Sequence, residues 1–326
     1  PRTVTLYEPG GIYEDTTVVG TRSYARGEAI RWFTGLGGLE PRFSANYEIS
    51  ENASLKASYN RNRQYIHLIS NNTSPTPVNV WRPAGAYIEP ATANQVALGY
   101  VQKVARGAGV LTIETYYKDL QNIVDYKDGA DLVFKDNIET ELLSGQGRAY
   151  GLEVLLEKKT GKLNGWIAYT LSRTELQVDG PTRGTSVNNG EWYLANYNKL
   201  HDLNVVANYA PSKQWDLSAT WSYQSGRPIT YPDSRGEFEG IPYPIYANRN
   251  GGETPDTHRL DLAATFAFKG KNSRKPTLAF GVYNAYARRN PYSVFFRQDF
   301  TTREVQAYRL SVFGTAIPYV TYNFSF

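Results

Sequence analysis

Apolar and polar residues alternate with a period of two over much of this chain, and the alternation comes in blocks. In the block 42–49, Phe43, Ala45, Tyr47 and Ile49 are separated by Arg42, Ser44, Asn46 and Glu48. Successive side chains of an extended strand point to opposite faces, so the block predicts a strand with one greasy and one wet side. Ser50-Glu51-Asn52 reads as a tight turn, after which Leu55, Ala57 and Tyr59 return against Lys56, Ser58, Asn60 and Asn62. The unit recurs. Val96, Leu98 and Tyr100 lead to a turn at Arg106-Gly107, and Leu111, Ile113 and Tyr117 leave it. Leu152, Val154 and Leu156 lead through Lys159-Thr160-Gly161 to Ile167, Tyr169 and Leu171. Leu203, Val205, Ala207 and Tyr209 turn at Pro211-Ser212 into Leu217, Ala219, Trp221 and Tyr223, the cleanest hairpin of the set. Leu260 to Phe268 alternate in the same way before the basic turn 269–275, and Leu278, Phe280 and Val282 follow it. The closing block, YVTYNFSF, places Val320, Tyr322, Phe324 and Phe326 on one face, with Thr321, Asn323 and Ser325 on the other.

These blocks predict about 11 strands of roughly 8 to 12 residues, a length that crosses a bilayer when tilted. Turns of a few residues alternate with insertions of roughly 18 to 35, at about 70–93, 120–145, 173–199, 226–257 and 288–305; a transmembrane barrel, with short turns on one side and long loops on the other, produces such a rhythm. Residues 1–38 are irregular and glycine-punctuated, with Thr3, Thr5 and Tyr7 closing an earlier strand and the remainder a loop. Charge placement agrees with a membrane: Lys56, Glu114, Glu153 and Asp261 all fall on the wet parity, and a charge at mid-bilayer on the lipid face costs about 2 to 4 kcal/mol. A two-sheet sandwich would bury a similar apolar face, and it stands as the competing architecture.

Aromatic residues make up 14% of the chain, with 26 Tyr and 6 Trp, yet the mean hydropathy is −0.50. No run of about 18 apolar residues occurs, so no membrane-spanning helix is expected; abundant tyrosine without long apolar runs fits interfacial girdles on alternating strands. Cysteine is absent, which excludes disulfides and thiolate metal sites. The net charge of +4 comes without a basic block and lends nothing to nucleic-acid binding. Methionine is absent, and the chain opens PRTVTL without a signal peptide, as expected of a processed or partial chain.

Candidate chemistry is sparse. His67, His201 and His258 are scattered; His201 and His258 sit beside Asp202 and Asp256 where strands begin, the usual place for interfacial polar groups. GQGRAYG at 145–151 has the wrong spacing for a dinucleotide loop. DGADLVFKD at 128–136 lacks the glycine and closing glutamate of a calcium loop. No catalytic residue, cofactor site or metal site is assigned. Binding is expected on the long loops, where Trp81, Tyr87, Trp192, Tyr193, Tyr231, Tyr243 and Tyr246 lie among Arg82, Arg183, Arg227, Arg235 and Arg249. Of these, Trp81, Arg82, Tyr87, Trp192, Tyr193, Arg227, Tyr231 and Tyr243 form the candidate ligand set. Aromatic faces stack on sugars or enclose a chelate, and arginines hold acidic groups.

The phrases GLEPRFSANYEI, NQVALGYVQ, IETYYKDLQNIVDY, GQGRAYGLEVLLEKKTGKLNGWIAYTLSRTE and HRLDLAATFAF resemble the barrel of TonB-dependent outer-membrane receptors. VTYNFSF resembles the C-terminal insertion signal read by the barrel assembly machinery. The resemblance covers 38–326. It implies an all-β antiparallel transmembrane barrel in a Gram-negative outer membrane with its C-terminus periplasmic. About 11 C-terminal strands of a 22-stranded barrel would be present, as domain 39–326, after an extracellular loop at 1–38. It also implies a plug and a TonB-contacting motif, neither of which is in this chain, a bulky nutrient ligand (siderophore, oligosaccharide or peptide), and the option of a partner lipoprotein. The competing functions are a plugged barrel acting as a structural or interaction component of a membrane complex, and an outer-membrane barrel hydrolase.

Overall fold

The structure is a computed structural model that describes residues 2–7, 18–24, 38–69, 80–85, 88–130, 138–181, 183–239, 241–246, 248–268, 276–298 and 305–324. Eleven strands follow one another in an antiparallel meander: β1 (Arg42–Ser50), β2 (Ala53–Gln64), β3 (Ala91–Val104), β4 (Gly109–Tyr126), β5 (Leu142–Lys158), β6 (Leu163–Gln177), β7 (His201–Tyr209), β8 (Trp215–Gln224), β9 (Thr257–Ala267), β10 (Thr277–Tyr283) and β11 (Ile317–Asn323). A two-residue strand, Tyr193–Leu194, adds to β6. Each strand pairs with its neighbour in sequence, and among the described residues β1 and β11 have one partner each. Short turns at one end alternate with long connections at the other, several of which form two-stranded ribbons of their own.

The register tests the face assignment directly. Ala45 lies opposite Ala57, Ala57 opposite Leu98, Leu98 opposite Thr115 and Thr115 opposite Leu152. Farther along, Val205 faces Trp221, Ala207 faces Ala219, Ala219 faces Leu262, and Phe280 faces Val320. One apolar surface thus runs unbroken from β1 to β11. Nothing among the described residues covers it: Phe43, Leu98 and Val320 are 67%, 62% and 73% exposed. A sandwich would have buried these side chains. The opposite face carries Lys56, with Glu114 directly across from Glu153, and Asp261 across from Thr220. Among the described residues no helix is long and apolar enough to cross a membrane.

Three expectations change. The segment 120–145 is not one long loop: β4 continues to Tyr126 and β5 begins at Leu142, giving strands of 18 and 17 residues instead of 8 to 12. GQGRAYG therefore lies inside β5, and β6 likewise runs on to Gln177. Above the lipid both faces of a strand are wet, so the ladder continues while the two-face contrast that betrays it disappears. Residues 18–24, read as loop, form a strand paired with Arg2–Tyr7. The closing strand starts at Ile317 and stops at Asn323; Phe324 lies just past it, and Phe326 falls outside the described residues.

Candidate functional site

The buried core sits at the long-loop end. Ile69, Ile88 and Ile138 pack on Val124, Tyr126 and Leu142, while Leu143, Val178, Val187 and Tyr193 pack on Ile123 and Leu176. The extended ends of β4, β5 and β6 are the posts against which three loops fold.

Arg249, from the connection between β8 and β9, locks them together. Its buried guanidinium pairs with the equally buried Asp125 at the end of β4. It also donates to the Tyr126 carbonyl (2.8 Å), reaches the exposed Asp128 carboxylate (2.6 Å) and stacks over the Tyr126 ring at 4.2 Å. Burial opposes its charge, and the carboxylates of Asp125 and Asp128 outweigh that, so its pKa is raised. Tyr193 donates its hydroxyl to Asp125. Burial first, then the Asp125 charge, pushes its pKa up and keeps it a neutral donor. The Asn188 side-chain amide brackets the Arg249 backbone, donating to its carbonyl (3.0 Å) and accepting from its N–H (2.8 Å). Asn250 donates to the Leu194 carbonyl (2.8 Å). These contacts tie the loops after β4, β6 and β8 into one platform.

The candidate ligand residues divide on this platform. Tyr193 is buried in the lock, where a ligand cannot reach it. Trp192 lies against the Arg148 guanidinium at 4.2 Å, on the outer side of β5. Tyr231 donates to the Glu253 carbonyl (2.7 Å) and meets the Phe296 ring edge-on at 5.2 Å; the Arg227 backbone N–H donates to Thr254 Oγ1 (2.9 Å). Trp81 and Tyr243 are exposed on two separate ribbons, Trp81 opposite Leu68 and Tyr243 opposite Gly236. Arg82 lies opposite His67, with its Nε enclosed and unpartnered among the described residues. Tyr87 lies outside the described residues. Sequence reasoning missed Asp125, Asn188 and Asn250, none of which carries a pattern that marks it. Of the segment weighed as a calcium loop, Asp128 is committed to Arg249 and residues 131–136 lie outside the described set. His201 and His258 bond tyrosine hydroxyls, of Tyr169 (2.9 Å) and Tyr286 (2.7 Å).

Comparison with known proteins gives one family and many structures. The family described as "TonB dependent receptor-like, beta-barrel" matches residues 6–285. Among solved structures, the siderophore receptor PiuA from Acinetobacter baumannii superposes with a TM-score of 0.56 at 15% identity, over 87% of this chain and 35% of that one. BauA, the ferric preacinetobactin receptor from the same organism, gives 0.52 at 16% identity, over 87% and 36%. The ferripyoverdine receptor of the outer membrane of Pseudomonas aeruginosa gives 0.50 at 12%, over 83% and 31%. The chain spans about a third of the length of these structures, and such identities carry the fold alone. No curated protein matches it.

Proposed function

Because the chain belongs to the TonB-dependent receptor-like β-barrel family, we propose that it forms barrel wall and outer loops of an outer-membrane receptor that imports a bulky nutrient, with a ferric siderophore as the first candidate. The observation that carries this reading is the loop platform. Aromatic side chains, Trp81 and Tyr243, stand exposed on ribbons carried by a rigid sheet, and the Arg249 lock holds the neighbouring loops in place. A surface of this kind presents flat apolar faces at fixed positions to a large ligand at little ordering cost. The solved neighbours named above are receptors for iron chelates, which supports a chelate over an oligosaccharide or peptide. A hydrolase would need a nucleophile, base and orienting group converging on one spot, and the platform offers an arginine lock instead.

In this reading 39–326 is the barrel domain, with its C-terminus periplasmic, and energy arrives through TonB acting on a plug. Val320 and Tyr322, outward-facing on β11, with Phe324 stacked on Tyr322 at 5.6 Å, then Phe326, serve as the segment presented to the barrel assembly machinery. The test is uptake of radiolabelled ferric siderophores by cells expressing the intact protein, with and without TonB. TonB-dependent accumulation, with an apparent affinity about tenfold weaker in Trp81→Ala or Tyr243→Ala, is the expected result. Uptake that ignores TonB, or a full panel of iron chelates without uptake, overturns it.

A further inference from the structure

The charge of the long connections runs against that of the chain. Segments 65–90, 127–141, 178–200 and 225–256, which follow β2, β4, β6 and β8, hold 13 Asp and Glu against 8 Lys and Arg, whereas the whole chain carries +4. Folding sharpens the contrast by sorting the two signs differently. Nine of those carboxylates are exposed, among them Asp128, Glu191, Asp233, Glu237 and Glu239, while none of the five basic side chains described there is.

The basic groups are taken up within the protein. Arg249 is closed into its lock with Asp125. Arg227 reaches the Tyr292 carbonyl on the connection after β10 (3.5 Å), Arg82 Nε is enclosed opposite His67, and Lys199 donates to Gln224 Oε1 (2.7 Å). Arginines expected to hold the acidic groups of a ligand are thus turned away from that task. Exposed arginines stand apart from these four connections, as Arg289 and Arg309 after β10.

One ribbon shows what the carboxylates border. In the pair Ser234–Phe238 and Ile241–Ile245, Tyr243 lies opposite Gly236, and its ring crosses so closely that a Cβ at Gly236 would overlap it. Phe238, Tyr243 and Ile245 share this face and are 69%, 48% and 39% exposed. Asp233 precedes the ribbon, Glu237 lies on its other face and Glu239 follows its first strand, all three exposed. The ring quadrupole attracts cations, and carboxylates close by add their field, which reaches about 8 Å at physiological ionic strength.

We propose that this end of the molecule selects a cationic ligand: a bulky chelate whose surface carries ammonium or guanidinium groups, received over Phe238 and Tyr243. The proposal rests on the reading of the long connections as the ligand-binding side, and it assigns the charge class of that ligand. Carboxylates spread over four connections act together, raising the local concentration of cations and rejecting anions, so the selection is expressed in the association rate before any single contact forms.

The experiment gives the intact protein in nanodiscs three ferric chelates, of hydroxamate, catecholate and carboxylate donor type. Each is made in two forms that differ only in a pendant arm ending in trimethylammonium or in sulfonate, groups that neither bind iron nor titrate near neutral pH. Surface plasmon resonance reads association and equilibrium binding. For every core that binds, the ammonium form should associate at least about tenfold faster at about 50 mM salt, and the advantage should shrink at about 500 mM. Glu237→Gln together with Glu239→Gln, both at exposed positions, should cut that advantage severalfold. Equal rates for the two forms, or a preference for the sulfonate, overturn the charge assignment and leave the receptor reading standing, as does a double variant that keeps the full advantage. Binding by none of the compounds overturns the chelate reading and the proposal with it.

Discussion

Ala219 on β8 offers a direct measurement of what the apolar face touches. The chain climbs about 13 Å from Gln214 to Ala219, which places this residue near the middle of an apolar band about 25 Å tall. Its side chain shares a face with Ala207 and Leu262, around a depression of about 650 Å³, so a larger side chain meets no packed neighbour there. Ala219→Arg therefore isolates the cost of placing a guanidinium in hydrocarbon, about 2 to 4 kcal/mol, or a roughly 30- to 700-fold loss in the folding equilibrium. The adjacent Thr220 points the other way, opposite Asp261. Thr220→Arg gains a carboxylate within reach and should change stability by about 1 kcal/mol or less. Folding of the intact protein into phosphatidylcholine vesicles across a urea series, followed by heat-modifiable gel mobility, compares the two. Equal costs, or a larger cost at Thr220, would refute the lipid-facing assignment of this entire surface.

Arg249→Met leaves the buried Asp125 carboxylate without its counter-charge, which should loosen the loop platform by about 3 to 5 kcal/mol; Asp128→Asn, at an exposed partner, should cost about 1 kcal/mol or less. Hydrogen exchange at 125–130 and 186–194 should rise sharply in the first variant and barely in the second. His67 is buried on its ribbon, and that burial lowers its pKa below the ordinary histidine value, partly offset by a backbone hydrogen bond at Glu89. The open ribbon thus takes up a proton before the folded one does. Stability of the ribbon made by Ile66–Ile69 and Val80–Pro83 is complete at neutral pH and falls as pH drops below about 6.5; exchange at Ile66–Ile69 that is the same at pH 5 and pH 7.5 would contradict this. Gly165 adopts φ +147, and an added Cβ would come within 2.0 Å of the Val206 carbonyl oxygen. Gly165→Ala should accordingly cost about 1 to 3 kcal/mol in the urea series, and a neutral outcome would show that the backbone relaxes.

Which residues share a face was legible in the sequence. Phe43, Ala57, Leu98, Ile113, Val154, Val205, Ala219, Leu262, Phe280 and Val320 were all assigned to one parity, and the register joins them into one surface. Parity is a property of adjacent residues, and hydrocarbon rejects charge strongly enough to write it into every strand. The ends of β4 and β5 escaped because water on both sides leaves no such mark. The platform could not be read at all. Asp125 and Arg249 are separated by 124 positions, and Tyr193, expected among exposed ligand contacts, is buried with its hydroxyl on Asp125. Which distant loop residues meet is decided by many small packing and hydrogen-bonding energies that take their values only once the strands have set the loops side by side.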